Sequence, residues 1–204
     1  MKRLKKCQIS ELRNVMPTLD NKELLSIIGG DKYYFDQDGN FIKSEKSAEN
    51  TIIIGDQQMS LSGTLDGLGS GNGSGVMFTG SGVSPQLFEF LASNTTVEWA
   101  YAYNSGEAGG LMGTSNQGHS VDLGSGNWGD YETLVHNHGQ SNNGMSQSEL
   151  REFNSLPSES DINFLKSQNM KSGQVYNETT GEWCTYDENS MTQEEWLRQH
   201  GYEY

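Results

Sequence analysis

Two stretches constrain this chain more than any others: Val135-His136-Asn137-His138 and the later Ser158-Glu159-Ser160-Asp161. Leu134-Val135 is an apolar lead-in and reads as the end of a short strand. Side chains alternate across a strand, so His136 and His138 share one face. Ser158 is placed to cap a helix, and Asp161 suits its first turn. Two imidazoles on one face can hold a metal ion. A third ligand, with one position left open, makes such a site catalytic rather than structural. Asp161 is the candidate third ligand. Each half also has a plain structural reading, as solvated loop histidines and as a capped helix start. The contiguous letters His-Asn-His are unrelated to the nuclease motif, whose three residues are spread over a ββα unit.

Composition narrows the rest. A chain of 204 residues suits one domain with appendages, and 33% hydrophobic content with 25 glycines predicts a modest core. The net charge of −14 argues against nucleic-acid binding, which needs a basic surface. No apolar run approaches the roughly 18 residues of a membrane span. Only Cys7 and Cys184 occur, too few for a disulfide framework or a cysteine zinc motif. Residues 1–30 hold six basic against three acidic side chains, so the remainder carries −17. Such asymmetry marks a targeting or processing segment.

Within that segment, Asp20 or Asn21 can cap a helix with Leu24, Ile27 and Ile28 on one stripe, ending in Gly29-Gly30. With Leu19, Glu23, Leu24 and Ile27 before the two glycines, it resembles the double-glycine leader of peptides exported by peptidase-containing ABC transporters. The resemblance implies cleavage after Gly30, a mature chain of Asp31–Tyr204, and Cys184 without an intramolecular partner. The plain alternative is a helix with a glycine C-cap.

Residues 31–61 read as a small β unit, with a hairpin over Lys32–Lys43 and a strand at Thr51–Ile54. Residues 62–83 read as a Gly/Ser-rich linker or a set of loops, with a short strand at Val76–Phe78. The main domain is expected over 84–204. Ser84-Pro85 starts a helix whose face is Leu87, Phe88, Phe90 and Leu91. A strand over Val97–Tyr103, a return over Gly110–Thr114 and a strand at Ser120–Leu123 precede the metal strand. A polar loop from Gly139, a short helix near Glu149–Phe153 and the Asp161 helix follow. A hairpin over Gln174–Tyr186 and a last helix over Gln193–His200 close the chain. His119 and His200 read as surface residues.

A glutamate after the first helix, then His-x-His, then Ser-x-x-Asp on a later helix resembles the JAMM (MPN, JAB) zinc metallopeptidases over about residues 84–186. It is most similar to the JAB-like toxin domains of bacterial polymorphic toxins, through Asn94-Thr95-Thr96-Val97-Glu98-Trp99-Ala100-Tyr101. The resemblance implies an α+β fold, a curved mixed β-sheet flanked by helices. It implies zinc held by His136, His138 and Asp161, with water in the fourth position. Glu98 would be the general base and Ser158 the oxyanion donor, in hydrolysis of a peptide or isopeptide bond. Glu107, in Glu107-Ala108-Gly109-Gly110-Leu111, is the alternative base. Nineteen residues between His138 and Ser158 are about twice the family's spacing, and 139–156 would then be an insertion. The implied partners are a protein or peptide substrate, the ABC exporter and an immunity protein. The competing readings are a metal-free binding module of the same fold and a non-enzymatic Gly-rich secreted protein.

Overall fold

The computed structural model describes residues 30–68, 75–117, 127–138 and 144–202. The expected leader helix, the expected strand at Ser120–Leu123 and His119 lie outside these residues, as does Gly29. The architecture is α+β, as expected, with two mixed sheets and four α-helices among the described residues. The smaller sheet has the order β2-β1-β3-β4, from β1 (Gly30–Phe35), β2 (Phe41–Ser47), β3 (Thr51–Ile54) and β4 (Gln57–Ser60). The β1–β3 pair is parallel and the other two pairs are antiparallel. The larger sheet has the order β10-β9-β8-β6-β7-β5. Its strands are β5 (Val76–Gly80), β6 (Ala100–Tyr103), β7 (Gly110–Thr114), β8 (Thr133–Asn137), β9 (Ser172–Asn177) and β10 (Glu182–Tyr186). Among the described strands of this sheet only β8 and β9 run parallel, and the connection between them carries helices, as parallel crossovers usually do.

The helices are α1 (Pro85–Asn94), α2 (Gln147–Phe153), α3 (Glu159–Gln168) and α4 (Gln193–His200). Each has a cap written in the sequence. Ser84 accepts from the Leu87 N–H, with proline at the first turn of α1. Ser146, Ser158 and Thr192 each form a reciprocal capping box at α2, α3 and α4. Among the described residues no helix is long and apolar enough to cross a membrane.

Strand alternation sorts the larger sheet into two faces. Trp99, Tyr101, Met112, Val135 and Tyr176 point to a core shared with Leu87, Phe88 and Leu91 of α1 and with Phe35 and Ile52 of the smaller sheet. Ala100, Ala102, Leu134 and Val175 point the other way, against Ile162 and Leu165 of α3. A third cluster joins Phe153 of α2 to Trp196 and Leu197 of α4. On the α3 side, Gly173 lies opposite Tyr186, whose ring covers it, and a β-carbon there would collide with that ring.

The structure adds detail at three places. The Gly/Ser-rich stretch at 62–83, read as a linker or loops with a short strand, packs where described, and the strand expected at Val76–Phe78 is β5. Leu65 and Val83 are buried, Asp66 and Thr79 exchange backbone hydrogen bonds of 2.8 and 2.9 Å, and β5 is an edge strand of the larger sheet. Second, β6 begins at Ala100, not Val97. The Glu98 N–H goes to the Gln117 carbonyl and the Trp99 N–H to the Asn137 side chain, so a loop and an amide take the donors, while the Asn137 N–H to Trp99 carbonyl bond at 3.3 Å continues the pairing with β8. Third, β4 has no counterpart in the expected elements, because Gln57-Gln58-Met59-Ser60 is an exposed edge without apolar alternation. Gly30 opens β1 opposite Ser47, and a β-carbon there would collide with the Glu49–Asn50 backbone.

Candidate metal centre

His136 lies in β8 opposite Ala100 of β6, the Asn137 N–H donates to the Trp99 carbonyl at 3.3 Å, and that register carried one residue further brings His138 across from Glu98. These three side chains lie on the α3 face of the sheet by alternation. Asp161 stands in the first turn of α3, where the capping box holds it. The Ser158 N–H and Oγ–H both donate to Asp161 Oδ2, at 2.6 and 2.7 Å, and the Asp161 N–H returns to Ser158 Oγ at 3.2 Å. The strand end and the helix start thus meet as their sequences predict. Ligand atoms of His136, His138 and Asp161 all lie within 4.8 Å of one another. Asp161 Oδ2 is 3.2 Å from His136 Nε2 and 3.7 Å from His138 Nε2, and the two Nε2 atoms are 2.8 Å apart.

These distances suit one tetrahedral ion. Donors about 2.0–2.1 Å from zinc at tetrahedral angles lie about 3.3–3.4 Å apart. The two distances to Asp161 bracket that separation, and the ring nitrogens need to part by only about half an ångström from their present hydrogen bond. The donor set, two imidazoles and one carboxylate, is also a zinc set. His136 is buried, and its Nδ1 has no hydrogen-bond partner. A buried polar atom left so costs about 1–3 kcal/mol, a burden borne more readily at a working site than in an ordinary core.

The local field follows from these contacts. Burial works against the charge on Asp161, but the adjacent imidazoles outweigh it and hold the carboxyl well below its usual range. Burial likewise works against a charged His136, and Asp161, helped by Glu98, overcomes it and raises that pKa. Tyr186 packs edge-on to His136 with ring centroids 6.1 Å apart, and burial pushes its hydroxyl pKa up.

Glu98 is 6% exposed and acts electrostatically on both His136 and Glu178. Glu107 is elsewhere. It is exposed in the β6–β7 turn, bonded to the Asn104 amide at 3.0 Å, beyond Tyr103, which pairs with Thr133 rather than His136. His200 is exposed as expected, though its ring stacks on Trp196 with centroids 3.9 Å apart.

Two neighbours of the site were not visible in the sequence reading. Glu178, just past β9, accepts a hydrogen bond from Asn137 Nδ2. Burial and the nearby Glu98 push its carboxyl up to about 7, against the effect of that bond. Gln193, opening α4, contacts His138 Nδ1 at 2.9 Å. Neither falls in a spacing motif with the histidines, because each arrives through tertiary packing of a later element.

Residues 79–166 match the family described as JAB-like toxin 1. The match runs from the end of β5 through α1, β6, β7, β8, α2 and most of α3, and so includes Glu98, His136, His138, Ser158 and Asp161. No curated protein and no solved structure matches the chain.

Proposed function

We propose, from the premise that this chain carries a JAB-like toxin domain over residues 79–166, that it is a zinc metallopeptidase acting as an exported bacterial toxin. The observation that carries this reading is the convergence of His136, His138 and Asp161, with Glu98 buried opposite His138. The three ligands would hold the ion. Bound zinc supplies Lewis acidity toward a water molecule and a substrate carbonyl.

The chain's own groups divide the remaining work. The Glu98 carboxylate orients the attacking water, accepts its proton and passes that proton to the leaving amine of the peptide or isopeptide bond. Ser158 holds Asp161 through its N–H, which leaves its hydroxyl able to turn from Asp161 Oδ2 toward the oxyanion of the substrate. Burial of Glu98 and His136 strengthens these interactions relative to water.

Export would follow the double-glycine leader, with cleavage after Gly30 by the peptidase of an ABC transporter. The remaining partners are a protein or peptide substrate and an immunity protein in the producing cell. The acidic charge makes nucleic acid an unsuitable target.

Elemental analysis of the purified full-length chain and of His136→Ala/His138→Ala tests the reading. About one zinc per chain is expected in the first and almost none in the second. A folded, zinc-free wild type would sink the peptidase and leave a metal-free JAB-like binding module.

A further inference from the structure

The first turn of α4 is fixed against the segment that carries Ser158. The Gln193 N–H donates to the Pro157 carbonyl at 2.8 Å, and Glu194 Oε2 accepts from the Glu159 N–H at 2.9 Å. Trp196, one turn on, is buried against Phe153 with ring centroids 5.8 Å apart. The Gln193 side chain therefore starts from an anchored backbone, and it reaches inward to His138.

Its amide Nε2 lies 2.9 Å from His138 Nδ1 and 3.0 Å from the Phe153 carbonyl oxygen. A carbonyl can only accept, so the atom facing both groups has to be the amide nitrogen, with one proton for each. His138 Nδ1 is then an acceptor, and the proton of the neutral ring sits on Nε2. That proton points at His136 Nε2, 2.8 Å away.

A metal at His138 Nε2 requires the other tautomer, with the proton on Nδ1 and an acceptor for it. Half a turn of the Gln193 amide brings Oε1 to that position and gives up the bond to the Phe153 carbonyl. A glutamine can serve either tautomer, whereas a lysine could only donate and an ionised glutamate could only accept.

We propose that Gln193 is a positioning residue for His138, setting the orientation and tautomer of the ring and thereby the zinc affinity of the site. The inference rests on the zinc reading above. It extends the working site to α4, which lies beyond the residues matched to the toxin family.

The test uses the full-length chain, Gln193→Leu and Gln193→Glu, with zinc affinity measured by chelator competition and imidazole nitrogen shifts by NMR. Loss of the partner in Gln193→Leu should weaken zinc binding about 10–100-fold. Gln193→Glu, which retains an acceptor for Nδ1–H but not the bond to the Phe153 carbonyl, should bind more tightly than Gln193→Leu. In the zinc-free wild type His138 should be protonated at Nε2, and in the zinc-loaded protein at Nδ1. Wild-type affinity in Gln193→Leu overturns the proposal and leaves the zinc reading intact. A wild type that binds no zinc overturns both. Should Gln193→Leu fail to fold, the wild-type tautomers decide: a zinc-free His138 protonated at Nδ1 overturns the proposal.

Discussion

Asp161 Oδ2 lies 3.2 Å from His136 Nε2, joining the first turn of α3 to the end of β8. One carboxylate oxygen thereby meets both the capping groups of Ser158 and the imidazoles. Asp161→Asn keeps the shape but removes the charge that favours a dication. The variant is expected to retain its fold and lose most of its zinc, with peptide hydrolysis falling by at least about 100-fold. Zinc content, circular dichroism and cleavage of a peptide library on the same sample check this. Full zinc occupancy in Asp161→Asn would remove Asp161 from the ligand set.

The two candidate bases separate cleanly by location. Glu98 is buried opposite His138, and Glu107 is exposed at the other end of β6. Glu98→Gln should lower kcat by about 100–10,000-fold while leaving zinc bound, as expected for loss of a general base. Glu107→Gln should leave both unchanged. Steady-state kinetics with parallel metal analysis distinguish the two, and the opposite pattern would reassign the base.

Elements whose signals are local were readable in the sequence. Ser84-Pro85 with Leu87, Phe88 and Leu91 predicts α1, and its described bounds agree. His136 and His138 share a face because a strand's period is two, and Ser158-x-x-Asp161 is a capping box because a helix start needs one. Long-range packing hid the rest. Glycine and serine between 62 and 83 leave linker and loops equally open, and only the packing shows that the backbone at Asp66 pairs with Thr79 and that Leu65 is buried. The segment at Val97–Trp99 alternates like a strand, but its Glu98 and Trp99 N–H groups go to the Gln117 carbonyl and the Asn137 side chain. Gln193 and Glu178 reach the site from the last helix and from a hairpin turn, where no sequence spacing relates them to His138.

Glu178 gives the zinc-free protein a distinct pH dependence. Its folded pKa of about 7 stands above the ordinary 4.5, raised by burial first and then by Glu98. Between those values the folded state binds more protons than the unfolded state, so stability falls as pH rises through that window and then levels. Glu178→Gln stays neutral and can still accept from Asn137. The variant and the wild type should have matching stability at low pH. The variant should gain on the order of 1–2 kcal/mol above about pH 7, a value discounted because the carboxyl is only part-buried. Urea melts in the presence of a chelator at several pH values measure the difference. Parallel curves across the window would show that Glu178 titrates normally.

Phe35 tests whether residues 31–61 are a separate unit or a support for the site. Its ring stands at the junction of the two sheets, with centroids 6.1 Å from both Phe78 of β5 and Trp99. Trp99 directly follows Glu98, and the Gln37 carbonyl in the β1–β2 turn accepts from the Thr96 N–H at 2.8 Å. The smaller sheet therefore braces the segment that carries the proposed base. Phe35→Ala leaves a cavity in this shared core and should cost about 3–5 kcal/mol. Because the core is continuous, the wild type should unfold in one transition, with tryptophan fluorescence and far-ultraviolet dichroism coinciding. An early transition confined to residues 31–61, with zinc still bound, would show that the small sheet is an independent appendage. A single transition, lowered as a whole in Phe35→Ala, would show that the smaller sheet and the metal-bearing sheet fold as one body.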